Sequence, residues 1–175
     1  DGATGRWVLT SPGGERFEWS SDFAAPGPDF LVSLDARPYQ EAGLDPARLP
    51  ADGFSFDPAT GRLSLSFEFG DTGSSAASPV ESFTSIVKAW RPRIGYHAAL
   101  DHYGISLGGG NMFEWAKDMA KNDKDIVFVL DPAPFIEAGV DPARIATWVF
   151  AKVPVKDAAG KDVQVDKFLR PYDLP

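Results

Sequence analysis

The chain has 175 residues, 43% of them hydrophobic and 24% charged, and it contains no cysteine. That size and composition favour one packed domain, or two small tightly packed halves, over a disordered segment; the missing thiols exclude disulfides, thiol catalysis and cysteine-ligated metals. A formal net charge of −8 argues against a nucleic-acid partner, which needs a basic face to release counterions from phosphates, and no apolar run approaches the roughly 18 residues of a membrane-spanning helix.

Taken in chain order, the sequence opens on DGATG rather than Met, as expected of a chain from which a secretory or lipoprotein signal has been removed. GRWVLTS (5–11) is a predicted strand closed by PGG, and Phe17 and Trp19 alternate around a glutamate as on a half-buried strand. FLVSL (30–34) follows and ends in Asp35. PYQEA is a short turn of helix that stops at Gly43, a residue free to take the left-handed C-terminal conformation. Asp45 then caps a second short helix with Pro46 at its first position. FSF and RLSLSFEF flank DPATG as a hairpin, with Leu63, Leu65, Phe67 and Phe69 alternating against polar neighbours. Residues 70–81 are a Gly/Ser-rich loop, and SFTSIVKAW (82–90) is an additional strand.

The second part of the chain repeats this plan. DHYGISL (101–107), GGG, FEW at 113–115, IVFVL (126–130), PFIEA, Gly139 and Asp141-Pro142 come in the same order, and TWVFAKVPV and KDVQVDKF flank a KDAAG turn. FEWAKDMAK reads equally as a strand or as a short helix. Residues 13–54 lie over 109–150 at a constant offset of 96 with 19 identities in 42 positions and no gap. A match of that length marks an internal duplication. The expected fold is therefore α+β and internally duplicated: two β-β-β-α-β-β-like halves about a pseudo-two-fold, mostly antiparallel sheet with short helices. Residues 1–175 form one domain in this reading, with repeat one at 5–69, a loop and connecting strand at 70–100, and repeat two at 101–170. Glu41 with Arg48, and Glu137 with Arg144, are placed to pair across each kink.

Complete catalytic motifs are absent: no phosphate-binding loop, dinucleotide fingerprint, nucleophile elbow or HExxH occurs. DTGSS (71–75) resembles the active-site loop of the aspartic proteases, which implies acid–base work for Asp71. That family pairs two such aspartates; this chain holds one copy of the motif, and Gly70 stands where the family has an apolar residue. Asp35 and Asp131 end equivalent strands, where paired carboxylates would split their pKa values and a capping role is the structural alternative. His97, Asp101 and His102 are the candidate metal ligands, at a spacing that matches no standard site. Trp19 and Trp115 occupy equivalent places, as core residues do. Trp90 and Trp148 have no matching tryptophan in the other copy and are, with Asp35 and Asp131, the candidate ligand-binding residues.

These features lead to the expectation of a non-catalytic binding or interaction module, secreted or tethered to the cell envelope by a lipid upstream. Its partner would be a protein, a carbohydrate or another small molecule, with no cofactor, no nucleic acid and a monomeric state. The alternatives are a hydrolase using Asp or Glu as acid and base, and a purely structural surface protein.

Overall fold

A computed structural model of the chain describes residues 6–20, 28–67, 94–97, 102–117 and 124–173. They fall into two compact units: unit one is residues 1–36 with 51–95, and unit two is residues 37–50 with 96–175. Both are mostly antiparallel sheet with a few short helices, an α+β arrangement in two similar halves.

The first sheet has five strands, β1 (Arg6–Thr10), β2 (Arg16–Ser20), β3 (Phe30–Asp35), β4 (Phe54–Asp57) and β5 (Arg62–Phe67), in the order β1-β2-β3-β5-β4. Each neighbouring pair is antiparallel. The period-2 alternation reads directly into burial: Phe17 and Trp19 on β2, and Leu63 and Leu65 on β5, are buried, while Glu18, Ser64 and Ser66 are half-buried. Phe17 stacks on Phe30 of the neighbouring strand with ring centroids 5.7 Å apart.

The second sheet has six strands, β6 (Ile94–His97), β7 (His102–Gly108), β8 (Asn111–Ala116), β9 (Ile126–Leu130), β10 (Val149–Lys156) and β11 (Asp162–Tyr172), in the order β10-β11-β9-β8-β7-β6. Counted from β7, its order β7-β8-β9-β11-β10 repeats that of the first sheet. The FEW segment at 113–115 is strand, within β8. The predicted strand at 82–90 and the loop at 70–81 lie outside the described residues.

Two helices, α1 (Arg37–Glu41) and α2 (Ala133–Glu137), each lead into a one-turn 3-10 helix, Pro46–Arg48 and Pro142–Arg144. The aspartate caps form as the sequence implies: Asp45 accepts from the amide of Ala47 at 3.1 Å, and Asp141 from that of Ala143 at 3.0 Å. Both helix–turn segments belong to unit two, where they meet reciprocally. The amide of Asp45 donates to the carbonyl of Ala138 at 2.9 Å, and the amide of Asp141 to that of Ala42 at 2.8 Å. Arg48 donates through Nη2 to the carbonyl of Glu137 at 2.5 Å, and Arg144 to that of Glu41 at 3.0 Å. Each arginine therefore reaches the main chain of the opposite segment rather than the glutamate of its own kink.

The contact also explains the glycines. Gly43 and Gly139 have φ of +113° and +107°, and a Cβ on either would stand 2.5 or 2.6 Å from the other's carbonyl oxygen. Only glycine satisfies both the dihedral and the approach. Beneath this clasp, Tyr39 of α1 stacks on Phe135 of α2 at 4.6 Å, and Phe168 of β11 meets both rings edge-on at 5.3 and 5.8 Å. These three side chains are fully buried, and such an aromatic cluster is a main apolar contribution to a unit of this size.

Candidate functional site

The two faces of the second sheet carry different side chains. Phe113 and Phe128, cross-strand partners on β8 and β9, point with Phe168 of β11 into the buried aromatic core. Alternation sends Met112 and Glu114 of β8, Val127 and Val129 of β9, and Leu169 and Pro171 of β11 to the opposite face, where strand register sets them side by side. All five residues of β9 are buried, so that opposite face is covered as well.

What lies there is a cleft of about 210 Å³, walled by those six side chains together with Val153 and Val155 of β10, with Lys124 at one end. Lys124 is exposed and pairs with Asp173 at 3.0 Å. His102 of β7 and Glu114, both buried, are with Lys124 the polar residues of the cleft lining. His102 is 2% exposed, and its Nδ1 stands 3.7 Å from Glu114 Oε2. Among the described residues, neither ring nitrogen has a hydrogen-bond partner. A buried polar atom without a partner costs about 1–3 kcal/mol, a cost that a water or another polar group reaching the imidazole would offset. Gly104, opposite Glu114 in the β7–β8 register, makes the room: a Cβ there would lie 3.2 Å from Glu114 Cγ and 3.0 Å from Met112 Cε.

The same positions in unit one are occupied differently. Register pairs Arg16 with Ser33 and Glu18 with Leu31, as it pairs Met112 with Val129 and Glu114 with Val127. Ser64 and Ser66 stand beside Ser33 and Leu31, where unit two has Leu169 and Pro171. Val8 faces Glu18 as Gly104 faces Glu114, which puts Arg6 in the place of His102. Around Glu18 are two guanidinium groups, Arg6 at 4.0 Å and Arg16 at 3.7 Å. Arg6 also donates to the carbonyl of Pro28 at 2.7 Å. Burial pushes its pKa below the usual arginine value, and Glu18 and then Asp29 work in the opposite direction. Ser33 accepts from Arg62 Nε at 3.2 Å and Nη2 at 2.9 Å. Unit one thus covers this face with its own polar side chains.

The residues singled out from sequence are distributed as follows. His102 lies on the cleft. Asp101 is outside the described residues, and of His97 only its place on β6 is described. Among the described residues, no three His, Asp or Glu side chains gather as a metal site requires. Trp148 is 4% exposed and packs on Tyr39 at 5.6 Å, facing the core and not the cleft. Trp90 and Asp71 are outside the described residues.

Asp35 and Asp131 each stand against a basic residue under the turn that closes the first hairpin of their unit. Asp35 is the cross-strand partner of Arg62, whose pKa burial and then Arg16 push below the usual arginine value while Asp35 works in the opposite direction. Asp131 does the same for Lys167, whose Nζ donates to Gly110 O at 2.7 Å. Asp131 also accepts from the amide of Ala133, an Asx turn into α2. Gly110 is needed where it is: its φ is +87°, and a Cβ would lie 2.7 Å from Lys167 Nζ.

Glu114, Met112 and the valines of the cleft escaped the sequence reading. The signal was present in the repeat alignment: Glu18/Glu114 is retained while Arg16/Met112 and Ser33/Val129 change from polar to apolar around it.

Comparison with protein-family models, with curated proteins and with solved structures found no match to this chain.

Proposed function

We propose that the chain is an internally duplicated, non-catalytic binding module, and that unit two takes a small, largely apolar ligand in the cleft between His102 and the β10–β11 hairpin. The observation that carries this reading is the exchange of one sheet face. Five of the six positions that are Arg16, Glu18, Leu31, Ser33, Ser64 and Ser66 in unit one are apolar in unit two, and the sixth is Glu114. Duplication is supported by the shared strand order and by the reciprocal helix–turn contacts. A cleft with an apolar body and few convergent polar groups is the usual form of a small-molecule site.

Location outside the cell or at its envelope is part of the same proposal. A chain without cysteine is compatible with an oxidising compartment, where it has no thiol to oxidise. Among the described residues no helix is long and apolar enough to cross a membrane.

The test is thermal denaturation of the whole chain in the presence of a series of straight-chain C4–C8 alcohols. A ligand at 100 times its dissociation constant adds about 2.7 kcal/mol to stability. We expect a saturable rise in Tm, greatest near six carbons. A series that leaves Tm flat, or lowers it monotonically as a cosolvent does, sinks the reading.

A second reading, a hydrolase with carboxylate acid–base chemistry, has one observation in its favour: the His102–Glu114 pair beside a cleft. Turnover of p-nitrophenyl butyrate that Glu114→Gln abolishes would put it first. A purely structural role is what remains if neither binding nor turnover is found.

A further inference from the structure

We infer that Gly104 is the positioning residue that sets the length of aliphatic ligand the unit-two cleft accepts. Its missing side chain lets Met112 and Glu114 lean over β7, which leaves that end of the cleft open. This rests on the cleft being a ligand site, as proposed above, and adds the residue that governs its selectivity.

A glycine inside a strand gives up packing and costs conformational entropy, so it marks a bend, a bulge or a close approach. The first two do not apply at Gly104. It has no positive φ, and the irregularity in the β7–β8 register lies further along, between Ser106 and Gly108. Close approach is what is left. Gly104 is buried, and Met112 Cε and Glu114 Cγ lie 3.0 and 3.2 Å from where its Cβ would stand. The strand itself does not demand glycine, because unit one has Val8 in the same place, opposite Glu18 as Gly104 is opposite Glu114.

The cleft spans the sheet from His102 on β7 to Val153 and Val155 on β10. Met112 and Glu114 stand on β8, between β7 and β9. A side chain at position 104 therefore pushes them away from β7, toward Val127 and Val129 of β9, and so into the cleft. Met112 yields first, because the atom in contact is the far end of an unbranched side chain with three rotatable bonds. The fold survives this and the cleft shortens. The 210 Å³ of the cleft equals about seven water-sized groups at roughly 30 Å³ each, the heavy-atom count of hexanol. On the same scale an alanine at 104 removes roughly one such place at the β7 end, and a valine about three.

The experiment is calorimetric titration of the full chain, and of Gly104→Ala and Gly104→Val, with straight-chain C4–C8 alcohols. Each methylene removed from contact weakens binding about fourfold. Gly104→Ala is expected to move the preferred alcohol about one carbon shorter and to weaken hexanol about fourfold; Gly104→Val should weaken hexanol at least about tenfold. Adding Met112→Ala to Gly104→Ala removes the displaced side chain and should return the wild-type preference, which a merely destabilised chain would not regain. Variants that fold by far-UV circular dichroism and keep the wild-type affinities overturn the inference while the cleft stands. So does a uniform loss of affinity with the preferred length unmoved. Should the wild-type chain bind none of the alcohols, the cleft reading falls and takes this inference with it. If Gly104→Val does not fold, Gly104→Ala decides. A Gly104→Ala that does not fold also overturns the inference, which requires Met112 to give way.

Discussion

Two sheets with the same strand order present opposite answers to one structural problem, how to cover the face that does not meet the aromatic core. Unit one covers it largely with polar and charged side chains: Arg6 and Arg16 stand 4.0 and 3.7 Å from Glu18, and Arg62 donates to Ser33. Unit two covers it with valine, leucine, proline and methionine, and retains one glutamate beside a histidine that has no hydrogen-bond partner among the described residues. The registers of β1–β3 and of β7–β9 are alike, so there the difference lives in side chains; the longer β10–β11 hairpin of unit two adds Val153 and Val155. What it teaches is that this face is free to change. The residues that the halves share build turns, core and clasp, and the residues in which they differ carry the chemistry.

The shared parts should fail alike when disturbed. Gly43→Ala and Gly139→Ala each force a positive φ on alanine and a Cβ into the opposing carbonyl, so each should cost about 2–4 kcal/mol in urea denaturation. A large effect at one glycine and none at the other would break the reciprocity of the clasp. Next in size is a transfer between faces. The double variant Met112→Arg with Val129→Ser writes the residues of unit one into unit two and should weaken hexanol binding at least about tenfold by calorimetry; unchanged affinity would move the site elsewhere.

The reverse comparison is a stability effect. Ser33→Val removes the acceptor of two Arg62 donors and should cost about 1–2 kcal/mol, read from the midpoint of urea unfolding. The smallest effect expected is a pH dependence at Lys167. Burial lowers its pKa in the folded chain and Asp131 only partly offsets this, so the unfolded chain binds the proton more tightly. Stability should therefore rise with pH as it approaches 10.5, the ordinary lysine value, and Lys167→Met should remove that part of the rise. A mutant with an unaltered slope would show that Lys167 contributes none of it.

Much of the architecture was legible from local rules. Alternation in RLSLSF and FEW gave the strands, and the Gly-Asp-Pro punctuation gave the caps, because these depend on backbone geometry within a few residues. The clasp was not legible. Arg48 and Glu41 are four-residue-scale neighbours of opposite charge, yet Arg48 reaches a carbonyl 89 positions away, and only the folded chain brings that carbonyl near.

The cleft was half legible. Arg16/Met112 and Ser33/Val129 stand in the ungapped alignment, but identities drew the eye and substitutions did not. Arg6/His102 precedes the aligned block, and Ser64/Leu169 follows it at an offset of 105 rather than 96 because the second hairpin is longer. Those equivalences appear only once strand register is known. Sequence proximity sets His102 beside Asp101, whereas the described carboxylate near it is Glu114, across the β7–β8 pair.

The central claim, that unit two holds a ligand on the face that unit one fills with its own side chains, is tested most directly by methyl-resolved NMR of the whole chain during addition of 1-hexanol. The account predicts saturable shifts at the methyl groups of Val127, Val129, Val153, Val155 and Leu169, with those of Val8 and Leu31 in unit one unmoved. Shifts of equal size in both units, or none in unit two up to the solubility limit of the alcohol, would contradict it.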